Sequence, residues 1–128
     1  MFLFLYRLLF FASMERKKIL AVNDERFWLG WIGLMLEDHD VQVDYASDGI
    51  EAVDKCTKKV AYDAILMNID MPEMNGIEAT KYLCKKGYGG RIVAWTAHCP
   101  ELWTDRCLKE GMDGFYLLDD IDGIISCV

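Results

Sequence analysis

Short apolar runs alternate with longer amphipathic segments five times between Lys17 and Cys127, and this alternation constrains the fold most strongly. The apolar runs have the length of buried strands, whereas the longer segments repeat their apolar residues at helical spacing. Parallel strands need a crossover connection, usually a helix, and that crossover is right-handed. The pattern therefore predicts an α/β fold, a doubly wound five-stranded parallel sheet with helices on both faces.

Turn and cap residues set the boundaries of the ten predicted elements. The predicted strands are Lys18–Val22, Val41–Tyr45, Tyr62–Asn68, Arg91–Trp95 and Gly114–Leu118. The predicted helices are Glu25–Asp38, Ile50–Lys58, Gly76–Lys86, Pro100–Glu110 and a shortened last helix within Asp119–Cys127. Because the last helix is short, the sheet face that it covers is predicted to be thinly protected. This predicts either reduced stability or a partner at that face.

The first helix is the softest of the five. Gly30 and Gly33 lie in its interior, and each weakens a helix by roughly 1 kcal/mol relative to alanine. Asp24 precedes the helix and is predicted to cap it. The residues predicted to pack against the sheet, at helical spacing, are Trp28, Trp31, Ile32 and Met35.

Composition limits the classes of function. The 128 residues are sufficient for one domain, and the net charge of −7 argues against direct nucleic-acid binding, which needs clustered cations. Five cysteines without a C-x-x-C pair predict reduced thiols and a cytoplasmic or nuclear location. His39 and His98 lie in separate segments, so no zinc-ligand pattern is present.

Residues 1–14 form an apolar N-terminal extension that is predicted to take no part in the fold, and residues 15–128 form the domain. The apolar stretch is shorter than the ~20 residues of a membrane-spanning helix and contains Arg7, so no transmembrane span is expected. It lacks a basic start and an A-x-A-like cleavage site, which argues against a secretion signal. Met14 would be a suitable first residue for the domain, so the extension is compatible with translation from an upstream start codon. A weak signal or a membrane-surface anchor is the alternative.

The most distinctive motif is an apolar run that ends at Asn68 and continues into a Met-Pro turn before Gly76. It resembles the phosphoacceptor segment of response-regulator receiver domains, roughly L-M-D-x-x-M-P-x-M-x-G. Four further stretches resemble landmarks of that family in the same order: Ile19–Glu25, Ala46–Ala52, Trp95–Ala97 and Glu110–Phe115. The chain is thus similar to receivers of two-component systems, including those of hybrid histidine kinases. The resemblance implies a flavodoxin-like (βα)5 fold with strand order 2-1-3-4-5.

The resemblance also shows where this sequence departs from the family. Asn68 occupies the position of the phosphorylated aspartate, and an amide cannot form an acyl phosphate. The family's acidic pair is Asn23 and Asp24 here, and Asp70 occupies the position that gives Mg²⁺ a backbone carbonyl. Because Mg²⁺ is held mainly through carboxylates, the sequence predicts no cofactor, or residual weak Mg²⁺ binding at Asp24.

Other family positions are retained or altered. Thr96 and Phe115 occupy the two switch positions of the family, whereas Leu118 occupies the position of its lysine. Trp95 and Trp103 are predicted to lie near the partner face, which the resemblance assigns to helix four, strand five and helix five. These assignments predict a scaffold whose partner face is retained and whose phosphorylation chemistry is lost.

The resulting functional hypothesis is a degenerate, pseudo-response-regulator-like receiver of phosphorelay signalling. It is predicted to be no enzyme and to bind a histidine kinase, a phosphotransfer protein or another signalling protein independently of phosphorylation. The open alternatives are a decayed paralogue without function and a receiver phosphorylated at a non-standard residue such as Asp70. An enzyme and a flavin-binding protein are rival classes, but the chain has no G-x-S-x-G motif and no supported Cys-His pair.

Overall fold

The computed structural model describes residues 3–7, 16–58 and 61–128. Five parallel strands form one sheet in the order β2-β1-β3-β4-β5, which confirms the predicted fold and strand order. The strands are β1 Lys17–Val22, β2 Val41–Ala46, β3 Ala64–Met67, β4 Arg91–Thr96 and β5 Gly114–Leu117.

Five helices alternate with these strands and cover both faces of the sheet. They are α1 Arg26–Met35, α2 Gly49–Thr57, α3 Gly76–Lys85, α4 Pro100–Lys109 and α5 Ile121–Cys127. The last helix has seven residues, as its short predicted span required. Among the described residues, no helix has the length and apolar character needed to cross a membrane.

Two separate cores form because successive strand side chains point to opposite faces of the sheet. One face packs against α2, α3 and α4, with Leu20 and Ile65 among its fully buried residues. The other packs against α1 and α5, with Ile19 and Leu66 on the same two strands. We refer to them as the three-helix face and the two-helix face. The central strand β3 is buried along its whole length because both of its faces are covered.

The first helix departs from its prediction in two details. Met35 is 39% exposed, and Leu36 is buried in its place, so the prediction for Met35 was wrong. Ile32 and Leu36 are four residues apart, about one helical turn, and therefore lie on the same side of the helix, facing the core. Asp24 does not cap the helix, because Glu25 is the N-cap residue and α1 has no side-chain cap hydrogen bond within the described ranges.

The predicted extension, residues 1–14, falls mostly outside the described residues. Residues 3–7 form a short helical segment in which all five residues are exposed. The remaining residues of the extension, 1–2 and 8–14, are not described. Its predicted independence of the fold therefore remains a prediction.

Candidate functional site

Three strand ends meet at the carboxyl edge of the sheet and form the candidate site. Asn23 follows β1, Asn68 follows β3 and Thr96 ends β4, and all three are buried. Because the strands are parallel, their carboxyl ends share one edge, where α/β proteins usually bind ligands. The cavity there has a volume of about 410 Å³ and is lined by Asn23, Asp24, Glu25, Asn68, Asp70, Thr96, Ala97, His98 and Leu118.

The side-chain amide of Asn68 has a defined orientation. Its Oδ1 accepts the backbone N–H of Ile69 at 3.0 Å, so Nδ2 faces the neighbouring strand ends. Nδ2 lies 3.0 Å from the backbone oxygen of Asp70, 3.2 Å from Oδ1 of Asp24 and 3.4 Å from Oδ1 of Asn23. One neutral amide group therefore shares its two hydrogens among three oxygen atoms.

Asn23 has a defined orientation as well. Its Oδ1 accepts the backbone N–H of Glu25 at 2.9 Å, and its own backbone N–H donates to the oxygen of Ala46 at 3.0 Å. Its Nδ2 is buried and finds no hydrogen-bond partner among the residues described here. A buried donor without a partner costs about 1–3 kcal/mol, so this position is not optimised for stability.

The start of α3 fixes the loop that follows Asn68. Asn75 and Glu78 form a reciprocal capping box, in which each side chain accepts the backbone N–H of the other residue. Gly76 then packs directly on the strand end, because a Cβ atom at this position would contact the backbone oxygen of Asn68. Helix α3 therefore sets the distance between the loop and β3, which places the Asp70 backbone oxygen beside the Asn68 amide.

A side-chain hydrogen bond that the sequence did not predict lies at the mouth of the cavity. Nε2 of His98 is 2.6 Å from Oδ2 of Asp70, and the backbone N–H of His98 donates to Oγ1 of Thr96 at 3.3 Å. A partial signal was present, because Asp70 and His98 shortly follow β3 and β4, which are neighbouring parallel strands. The carboxyl ends of such strands share one edge of the sheet.

The remaining predicted site residues are divided between the cavity and the core. Leu118 is buried and lines the cavity, with its backbone N–H donating to the oxygen of Thr96 at 3.1 Å. Phe115 is half-buried and packs against the three-helix core, outside the cavity. The structure therefore brings Leu118 next to Thr96 and does not bring Phe115 into the cavity.

The two tryptophans predicted for the partner face have different environments. Trp95 is fully buried in the two-helix core, and its Nε1 donates to the backbone oxygen of Leu118 at 3.0 Å. The surface prediction for Trp95 was therefore wrong, because adjacent strand residues point to opposite faces. Trp103 is half-buried on α4, where its ring stacks on His98 with centroids 4.3 Å apart. The guanidinium of Arg106 lies 4.9 Å from the Trp103 ring.

The carboxylates that line the cavity are those of Asp24, Glu25 and Asp70. Among the described residues, no three His, Cys, Asp or Glu side chains are grouped as metal ligands. The hydrogen-bond donor of Asn68 instead faces the Asp24 carboxylate and the Asp70 carbonyl. A cation needs oxygen lone pairs in such a place, so the donor set present does not fit Mg²⁺ well.

Comparison with known proteins identifies the family of the chain. A family profile described as the response regulator receiver domain matches residues 19–118 of this chain. The chain belongs to the receiver domain family. The solved receiver domain of the Francisella response regulator 1452 is 25% identical, with a TM-score of 0.79 over 86% of this chain and 91% of that domain.

Individual relatives of this receiver domain differ greatly in length. Chemotaxis protein CheY of Halobacterium salinarum is 32% identical over 99 residues, covering 77% of this chain and 82% of that protein. Hybrid signal transduction histidine kinase B of Dictyostelium discoideum is 38% identical over 116 residues, covering 80% of this chain and 6% of the kinase. The histidine-protein kinase BarA of Escherichia coli K12 is 32% identical, and the chain spans 11% of its length.

Proposed function

We propose that this receiver domain acts in phosphorelay signalling as a protein-interaction module that works without phosphorylation. The observation that carries the proposal is the Asn68 amide, whose Nδ2 lies 3.0–3.4 Å from three oxygens of the cavity. An aspartyl phosphate needs a carboxylate nucleophile, and the carboxamide of Asn68 cannot supply one. The proposal assigns no enzymatic activity to the chain.

The same amide supports a metal-independent cavity. In the family, as the resemblance implies, Mg²⁺ binds the oxygens of this strand edge, and here a neutral NH₂ group bonds to those oxygens instead. One of these hydrogen bonds reaches the Asp24 carboxylate and brings no positive charge to it. Replacement of an acid by Asn23 lowers the negative charge further, so Mg²⁺ loses its electrostatic support. We propose that the cavity holds no cofactor, or at most weak Mg²⁺ at Asp24.

The proposed partner is a histidine kinase, a phosphotransfer protein or another signalling protein, since several relatives are hybrid histidine kinases. The net charge of −7 supports a protein partner over nucleic acid. Five free cysteines support a reducing compartment, and we propose the cytoplasm or the nucleus. The retained switch residues Thr96 and Phe115 rest at their intrinsic equilibrium, because no phosphoryl group biases them.

Phosphorylation can be tested directly with the full chain, acetyl phosphate and Mg²⁺. We expect no hydroxylamine-sensitive label on the unmodified chain. The single variant Asn68→Asp should take up far less label than a receiver with all the family's site residues. Asn23 still occupies the position of an acid in this variant, and Leu118 still occupies the position of the lysine. Label on the unmodified chain that disappears in Asp70→Asn would contradict the proposal and support the non-standard acceptor. The Asp70 carboxylate is already paired with His98, which argues against that outcome.

The metal prediction has its own measurement, chemical unfolding with EDTA and with Mg²⁺. Asn68→Asp places a second carboxylate against Asp24, so we expect a loss of about 1–3 kcal/mol in EDTA, partly recovered with Mg²⁺. The unmodified chain should unfold at the same denaturant concentration in both buffers. Asn75→Asp is the matched control, because it makes the same substitution at the cap of α3. A strong Mg²⁺ response of the unmodified chain would disprove a silent cavity.

Binding separates an interaction module from a decayed paralogue. We expect a histidine kinase or phosphotransfer protein to bind the chain equally well with and without acetyl phosphate. Leu102→Asp, at an exposed position of α4, should weaken this binding if the partner face includes that helix. A folded chain that binds none of these signalling proteins would favour the decayed paralogue.

A further inference from the structure

His98 makes three contacts that join separate parts of the molecule. It lies in the loop between β4 and α4, and its Nε2 is 2.6 Å from Oδ2 of Asp70, in the loop between β3 and α3. Its backbone N–H donates to Oγ1 of Thr96 at 3.3 Å, and its ring stacks on that of Trp103 with centroids 4.3 Å apart. One residue therefore contacts the neighbouring loop, the end of β4 and the first half of α4.

The hydrogen bond to Asp70 orients the His98 ring. An ionised carboxylate only accepts hydrogen bonds, so Nε2 of His98 carries the hydrogen and donates it. Both residues line the cavity, and their side chains are 27% exposed for His98 and 76% exposed for Asp70. The bond therefore lies at the cavity mouth, where a molecule that enters the cavity can reach it.

The start of α4 is not fixed by a side-chain cap in the described structure. Its N-cap residue is Cys99, whose thiol donates to the Glu101 carboxylate at 2.7 Å instead of bonding to the helix backbone. A helix start without a cap depends more strongly on the packing of its side chains. In the first half of α4 the Trp103 ring packs between two groups, the His98 ring and the Arg106 guanidinium at 4.9 Å. The position of Trp103 therefore depends in part on His98.

The second switch residue, Phe115, does not line the cavity. It is half-buried and packs against the three-helix core, and it is not among the described residues that form the cavity wall. His98, in contrast, lines the cavity and also contacts a ring of α4. That ring, Trp103, packs against the same core as Phe115. The described contacts therefore connect the cavity with α4 through His98.

We propose that His98 is a positioning residue that couples the cavity to α4 through its contacts with Asp70 and Trp103. The inference rests on the proposed function, since a module that is not phosphorylated needs another means of setting the state of its partner face. A contact biases an equilibrium only if it differs between the two states. The Asp70–His98 hydrogen bond is such a contact, because it exists only while the two loops lie close together. A molecule that takes up the Asp70 carboxylate releases His98 and thereby changes the position of Trp103.

Amide hydrogen exchange in the full chain tests the coupling from the cavity side. The variant Asp70→Ala removes the acceptor of the His98 ring, so we expect the amides of residues 102–105 to exchange about two- to fivefold faster. The matched control is Glu73→Ala, which makes the same truncation at an exposed carboxylate of the same loop. It should leave exchange in residues 102–105 unchanged.

The reciprocal experiment starts from α4. Because a coupling free energy acts equally in both directions, Trp103→Leu should accelerate exchange in the loop of Asp70 by a similar factor. The amides to follow are those of Met74 and Gly76, which donate to backbone oxygens of this loop at 2.8 Å and 2.9 Å. Leu102→Ala, at the exposed neighbouring position, is the control and should leave both amides unchanged. A tryptophan that only packs beside its own helix would not alter the loop.

His98→Phe separates coupling from packing, because phenylalanine keeps a ring for Trp103 but has no donor for Asp70. In this variant we expect Asp70→Ala to cause no further acceleration in residues 102–105, so the two substitutions are not additive. His39→Phe makes the same change at an exposed position after α1, and it should keep the full response to Asp70→Ala. Additive effects of His98→Phe and Asp70→Ala would overturn the proposal, as would unchanged exchange in both directions.

The result can be distinguished from a failure of the proposed function. Hydroxylamine-sensitive label on the unmodified chain would contradict the proposed function, whereas coupled exchange in the same chain would still support the role of His98. An unlabelled chain without coupled exchange would overturn only the role of His98. If Trp103→Leu does not fold, His98→Ala replaces it, because loss of both contacts should accelerate exchange in α4 and in the loop of Asp70.

Discussion

The two faces of the sheet are built in different ways. On the three-helix face, two helices start with side-chain caps. The Asp48 side chain accepts the Glu51 N–H at the start of α2, and Asn75 belongs to the capping box of α3. On the two-helix face, α1 lacks a side-chain cap in the described structure and has two interior glycines, and α5 has seven residues. The caps do not follow the faces throughout, because α4 starts without a side-chain cap and α5 has one from Asp120 to the Gly123 N–H. Helices α2 and α3 are thus specified locally, whereas α1 depends on packing against the sheet.

This difference has a functional side. Helix α3, which carries the capping box, positions the loop that contains Asp70, so the candidate site rests on a locally specified helix. Helix α1 instead presents Phe27 and Leu34 to solvent, at 69% and 67% exposure. A variant that damages packing should therefore affect α1 most, and a variant that damages caps should affect α2 and α3 most.

The largest effect is expected for Trp95→Ala in the two-helix core. Trp95 is fully buried and its indole N–H bonds to Leu118, so truncation removes a large buried ring and one hydrogen bond. We expect a loss of about 3–5 kcal/mol in the free energy of unfolding, measured by chemical denaturation. Trp103→Ala, at a half-buried position, should cost less. Equal losses for both variants would mean that Trp103 supports the fold as strongly as Trp95 does.

Trp95 also shows which part of the site the sequence could predict. The positions of Asn68, Asn23, Thr96 and Leu118 around one cavity were predictable, because a motif and parallel strand ends fix them. The burial of Trp95 was misjudged, since its neighbour Thr96 lies at the site. Neighbours in a strand point in opposite directions, so closeness in sequence placed the side chain on the wrong side.

The Asp70–His98 pair and the helix cap show a different limit. Capping by Asp24 was predicted from residue type, but the side chain is engaged by Asn68 across the sheet edge instead. The pair of Asp70 with His98 joins loops 28 residues apart in sequence. Contacts of this kind depend on the conformation of the loops that follow the strands, which a local pattern does not contain. The prediction chose Met35 instead of Leu36 as a core residue for a simpler reason. Both residues and their neighbours are apolar, so hydropathy does not distinguish them.

The second prediction compares two glycines, one beneath the site and one in α1. A Cβ atom at Gly76 would contact the rigid backbone oxygen of Asn68, whereas one at Gly33 would meet the hydroxyl end of Tyr45. We expect Gly76→Ala to cost about 1–3 kcal/mol of unfolding free energy, because neither strand end nor helix can move freely. Gly33→Ala should be close to neutral, because helix propensity offsets the shift of the Tyr45 ring. A neutral Gly76→Ala would show that α3 does not pack tightly on β3.

The third prediction concerns alkaline pH and the three-helix face. Burial raises the pKa of the Cys56 thiol to about 11 and that of Tyr88 to about 12. The pKa of Tyr62 is also raised, by burial and by the Asp44 carboxylate. The folded state keeps these protons at a pH where the unfolded chain loses them, so stability is complete below about pH 9 and falls as the pH rises towards about 12.

Chemical denaturation at several pH values checks this loss. Tyr88→Phe removes one of the three groups and should reduce the slope of unfolding free energy against pH between about pH 9 and pH 12. The hydroxyl of Tyr88 also donates to the Tyr62 oxygen at 3.3 Å, so a small constant loss is expected at neutral pH. An unchanged slope in Tyr88→Phe would contradict a role for this hydroxyl in the alkaline loss.

The smallest effects are expected from the helix caps, which contrast α3 with α1 most directly. Asn75→Ala removes the capping box of α3 and should destabilise the chain by about 1 kcal/mol. Glu25→Asn introduces a favourable N-cap residue on α1, where the backbone already has extended φ and ψ of −92° and 111°, and should stabilise it by about 0.5–1 kcal/mol. Opposite signs in chemical denaturation would confirm that α3 is already specified by its cap and α1 is not. A destabilising Glu25→Asn would contradict this prediction. It would indicate that the new side-chain amide disturbs the hydrogen bond from the backbone N–H of residue 25 to Asn23 Oδ1.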